Sequence, residues 1–111
     1  MKDTVEVVYR PLAKKGGTKF LDFALKQGSK LLKLEVKLNA PTGGDALARC
    51  AAQLTQSLEV EEGGTTVLWC YRVPTQAALN ALKAAMGEAN VSKVVIKSGI
   101  SELVPYLQAF F

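Results

Sequence analysis

At 111 residues, with 49% apolar and 22% charged residues, the chain suits one self-stabilised domain spanning residues 1–111 and is too apolar to be disordered. It contains no histidine, which excludes Ser-His-Asp and Cys-His catalysis and His-ligated zinc; its two cysteines, Cys50 and Cys70, make neither a disulfide framework nor a zinc site. The net charge of +4 is uneven: residues 1–37 hold nine Lys/Arg against four Asp/Glu, and residues 38–111 hold five against six.

Residues 4–10, TVEVVYR, are rich in β-branched and aromatic side chains and stop before Pro11, as a first strand would. Thr18 then caps a predicted helix in which Phe20, Leu21, Ala24 and Leu25 share one side and Gly28 supplies the stop. In residues 31–38, LLKLEVKL, Leu32, Leu34, Val36 and Leu38 alternate with Lys33, Glu35 and Lys37. That pattern predicts a strand with one wet face, at the edge of a sheet and guarded by its lysines.

Asp45 is the expected cap of a second helix, with Leu47, Cys50, Ala51, Leu54 and Leu58 recurring at three and four residues. Residues 65–73, TTVLWCYRV, are apolar on both faces until Arg72, the mark of a central strand. Thr75 caps a third helix whose buried stripe is Ala78, Leu79, Leu82, Ala85 and Met86. A short strand at residues 91–97 leads to a final helix from Ser101, carrying Pro105 and ending in Phe110 and Phe111.

The sum is an α/β layered domain of four mainly parallel strands alternating with four helices, βαβαβαβα. In such a sheet the strand-to-helix loops share the carboxyl edge, where ligands bind. That edge should gather Arg10, Lys14, Lys15, Gly16, Gly17 and Lys19 after the first strand, Gly43 and Gly44 after the second, Arg72 after the third and Lys97 after the fourth. The gathering requires the first strand to run parallel to the others. The opposite edge takes Glu59, Glu61, Glu62 and Glu88 together with Lys26, Lys30 and Lys93.

Neither Gly-Gly stretch has the spacing of a phosphate loop or a dinucleotide fingerprint. No spacing supports a nucleophile, an acid/base pair or a metal cluster, so the chain reads as non-enzymatic, without cofactor or metal. Two functions follow as expectations. One is a small cytoplasmic interaction or regulatory module, binding a protein partner or itself through Tyr106, Leu107, Phe110 and Phe111. The alternative is an anion-binding module for nucleic acid or a phosphorylated ligand at the basic carboxyl edge. The N-terminus has no apolar leader, and no run is long enough to span a membrane.

Overall fold

A computed structural model describes residues 6–8, 23–59 and 63–111. Among them are five strands and four helices: β1 (Glu6–Val8), β2 (Phe23–Gln27), β3 (Lys30–Lys37), α1 (Gly44–Ser57), β4 (Thr65–Cys70), α2 (Gln76–Met86), α3 (Glu88–Val91), β5 (Val94–Ser98) and α4 (Gly99–Phe110). They build one α/β sheet in the order β1-β2-β3-β4-β5. The first three strands form an antiparallel meander, whereas β3, β4 and β5 are parallel.

The sheet is therefore mixed, and the strict strand-helix alternation fails at its start. Residues 23–27 form a strand in place of the second half of a helix from Thr18. Gly28, at φ 58°, turns a hairpin between β2 and β3 instead of ending that helix. Two antiparallel steps nevertheless leave β1 running in the same direction as β3, β4 and β5.

From β3 onward the chain follows βαβ logic, with α1 joining β3 to β4 and α2 and α3 joining β4 to β5. Leu54, Cys50, Leu82 and Met86 from α1 and α2 meet Leu68 and Cys70 of β4 in one core. On the other face Tyr106, Leu107, Phe110 and Phe111, from α4 and the C-terminus, pack with Leu32, Leu34, Val67 and Trp69. The sheet is thus covered on both sides. Complete burial of Leu54 and Leu82 contributes roughly 1.5–3 kcal/mol for each side chain.

The helix ends depart in part from the expected caps. Thr75 accepts from Ala78 N–H at 3.1 Å, as its position implies. The N-cap of α1 is Gly43, without a side-chain bond, and Asp45 lies in the first turn, where its charge complements the helix dipole. Ser98 precedes α4, and Glu102 accepts from Ser98 N–H at 2.7 Å; the helix continues through Pro105. Ala85, assigned to the buried stripe of α2, is exposed.

The larger revision concerns β3. It is a central strand, between β2 and β4, and its charged side lies under α1. Lys33 is 1% exposed and Glu35 3% exposed. The alternation was sound, but the face assigned to water is covered, because the crossover helix that begins at Gly44 packs back over it. Among the described residues no helix is long and apolar enough to cross a membrane.

Candidate functional site

Three ionisable side chains, Lys33, Glu35 and Lys37, succeed one another along the covered face of β3. Buried charges are costly unless paired, and such a row on a central strand requires explanation. For Lys33 the explanation is structural. Its ammonium donates to the Ser57 carbonyl at the C-terminus of α1, the negative end of the helix dipole. Ser57 Oγ also donates to the Leu54 carbonyl at 2.7 Å and lies 2.8 Å from Thr66 Oγ1, which completes a buried polar cluster.

Glu35 and Lys37 lie further along, toward the carboxyl edge. Lys37 Nζ stands 3.5 Å from Glu35 Oε1. Lys37 also lines a groove of about 490 Å³ with Asn39, Thr42, Gly43, Arg49 and Gln53. Glu35 thus sits one ion pair beneath the groove lining. The β3–α1 loop forms one wall and the first turns of α1 the other. Helix dipole, Lys37 and Arg49 all favour an anion there.

Gln53 adds a second signal. Its Oε1 is buried and accepts no hydrogen bond, although it belongs to the groove lining. Buried acceptors are rarely left without a donor, and water in the groove supplies one to this oxygen as readily as a ligand would. Among the described residues no three or more Asp, Glu, Cys or His side chains cluster as a metal cage. A hard cation such as Mg²⁺ needs no such cage, since one or two carboxylates suffice when water and phosphate oxygens fill the remaining positions.

A second lobe of about 310 Å³ adjoins the first, sharing Asn39, Ala40 and Thr42 and bringing in Arg72, Val73 and Thr75. The residues expected at the carboxyl edge therefore separate. Gly43 and Arg72 line the two lobes, and Gly44, at φ 63°, opens α1 beside the first. Lys97 points to the opposite face, with its ammonium 5.4 Å from the centroid of the Tyr106 ring. Arg10, Lys14, Lys15, Gly16, Gly17 and Lys19 lie outside the described residues, as do Glu61 and Glu62.

Sequence reasoning missed Lys37, Glu35, Arg49 and Gln53. Arg49 and Gln53 are one helical turn apart on α1, and Gln53 follows Arg49 by the four residues that place two side chains on one helix face. That spacing was available in the sequence; the strand it faces was not. The apolar residues Tyr106, Leu107, Phe110 and Phe111 pack against the protein's own sheet.

The cysteines are near the site but unsuited to its chemistry. Burial pushes the Cys50 thiol from its ordinary 9.0 up to about 11, against a smaller lowering by Lys37; Cys70 is also raised by burial. Both stay protonated at neutral pH and should resist a thiol reagent until the protein unfolds. Because the folded pKa lies above the unfolded value, Cys50 contributes stability below pH 9 that is lost as pH rises toward 11. Denaturation midpoints across that window, with Cys50→Ala as control, test the assignment: an equal alkaline loss in the variant removes Cys50 as its source.

Comparison with known proteins adds no relative: no family model, curated protein or solved structure matches this chain.

Proposed function

We propose that the protein binds nucleic acid, holding phosphates of the backbone in the carboxyl-edge groove. The observation that carries this reading is the convergence of Lys37, Arg49 and the first turn of α1 on one cavity, with Arg72 in the adjoining lobe. Two cations and a helix N-terminus match the charge and hydrogen-bonding of a phosphodiester, and a two-lobed groove suits a chain of phosphates better than an isolated one. The apolar end of α4 is already engaged with the sheet, which weakens the reading of that end as a partner-binding surface.

Binding should fall steeply with salt, because each phosphate neutralised by a cation releases counterions. Lys37→Ala and Arg49→Ala should each weaken binding and flatten the slope of log K against log salt by about 0.9 per lost phosphate contact on duplex DNA. Fluorescence anisotropy of labelled DNA at several salt concentrations measures both quantities. If the double variant keeps its melting temperature and binds as the parent does, the groove is not the site.

A second reading, metal-assisted hydrolysis of the bound phosphodiester, is favoured by the buried Glu35 beneath Lys37 and the orphan Gln53 Oε1. The Glu35 carboxylate would hold a hydrated Mg²⁺, with Gln53 Oε1 accepting a hydrogen bond from one of its waters, and the ion would supply an activated water and neutralise charge on the phosphate. Hydrolysis joins a water oxygen to phosphorus, with one proton of that water passing to solvent. The P–O bond to the leaving sugar breaks, and the departing alkoxide takes a proton from the Lys37 ammonium or from water. The products are a phosphate monoester and a sugar hydroxyl.

A further inference from the structure

We infer that the carboxyl edge carries a base-stacking rim beside the phosphate groove, so that the preferred ligand is single-stranded nucleic acid. This rests on the nucleic-acid reading and narrows it. Leu38, Tyr71 and Ile100 follow the ends of β3, β4 and β5, three adjacent strands whose last residues Lys37, Cys70 and Ser98 are in register. All three side chains are exposed, Tyr71 by 50%, and Val73, 78% exposed, continues the row into the second lobe. Exposed apolar side chains gathered at one edge mark a binding surface more often than scattered ones do.

The row is held rigid. Tyr71 N–H donates to the Lys37 carbonyl at 2.9 Å and Arg72 N–H to the Leu38 carbonyl at 3.0 Å, extending the β3–β4 ladder past both strand ends. The Tyr71 ring meets Trp69 edge to face, with centroids 6.0 Å apart, and Trp69 Nε1 donates to the Gly99 carbonyl at 2.8 Å. Lys37 and Arg72 line the groove on the α1 side, while the Tyr71 ring, packed on Trp69, stands toward the α4 side, so cations and aromatic flank the same carboxyl edge from its two sides.

Charge selects the occupant. An apolar protein surface would match the row but not the two cationic lobes, and an acidic one the lobes but not the row, whereas a nucleotide strand supplies phosphates to the lobes and bases to the rim. A duplex cannot use the rim, because its bases are stacked on one another and offer only their edges. Unpaired bases have free faces, and stacking on an aromatic ring tolerates any base.

The test compares a short oligothymidylate or oligouridylate with a blunt DNA duplex of equal length, without divalent cation, reading the emission of Trp69, the protein's single tryptophan. Single strands should bind more tightly than duplex and change Trp69 emission. Tyr71→Ala should weaken single-strand binding about tenfold, the effect of one lost stack, and leave duplex binding alone, while Tyr71→Phe keeps parent affinity. Equal affinity for both forms, indifferent to Tyr71→Ala, overturns the rim and leaves the groove standing. A concentration-dependent dimer abolished by Tyr71→Ala assigns the rim to a second copy and also overturns it. Binding of no oligonucleotide removes the nucleic-acid reading and the rim with it.

Discussion

Glu35→Gln should leave nucleic-acid binding intact and remove Mg²⁺-dependent cleavage, lowering its rate by roughly 100-fold or more. The carboxylate lies below the groove lining, so it makes no attractive contact with a phosphate and its negative charge opposes one. Neutralising it keeps or slightly tightens binding. The amide retains the side chain's shape, but Glu35 is 3% exposed and removing one charge of a buried pair is destabilising, so the substitution should cost roughly 3 kcal/mol, which the melt reads directly. Lys37→Ala, by contrast, should lose binding and cleavage together.

The measurement is cleavage of an end-labelled strand with MgCl₂ and with chelator, beside a binding isotherm and a melt for each variant. Undiminished cleavage by Glu35→Gln, or no cleavage by the parent with any divalent ion, ends the hydrolytic reading and leaves the binding one untouched.

The parts of the fold legible in the sequence are those where one physical signal acts alone. β4 is apolar on both faces and is central; α1 and α2 carry apolar stripes at helical spacing, and Thr75 sits where a cap should. Residues 20–28 carry two signals at once. Phe20, Leu21, Ala24 and Leu25 fit a helix, whereas Phe23 and Leu25 on one face and Ala24 on the other fit a strand. Gly28 ends either one. The choice comes from pairing with β3, a long-range contact that local periodicity does not contain.

The site was obscured for a related reason. Lys33, Glu35 and Lys37 alternate with leucine and valine in the same way whether their face meets water or a helix. What decides is the crossover: a strand followed by a helix and a parallel neighbour is covered on both sides. Once an α/β sheet is inferred, Lys33 and Glu35 on such a strand become buried charges, with Lys37 beyond them lining the groove. The Gly43-Gly44 pair starts α1 with no side chain between the helix N-terminus and the groove.

Gly64→Ala should be the most damaging single-methyl change at the sheet's parallel core, costing roughly 3 kcal/mol or more. Gly64 precedes β4 at φ 91°, a conformation unfavourable to any L side chain, and a Cβ there would stand 2.6 Å from the Leu31 carbonyl oxygen and 2.8 Å from Leu31 Cγ. The first contact is with backbone, so relief requires moving β3 against β4. That movement strains the register from Leu32 opposite Thr65 to Lys37 opposite Cys70, and with it the placement of Lys37 in the groove. Gly63→Ala is the matched control: its φ of 72° imposes a similar backbone penalty, but nothing lies within 4 Å of the added carbon. Its cost should stay near 1–2 kcal/mol. Chemical denaturation of the two variants, with oligonucleotide affinity measured on each, separates clash from backbone strain. Equal destabilisation would show that the β3–β4 pair accommodates a methyl at Gly64, and normal affinity in Gly64→Ala would uncouple the groove from that register.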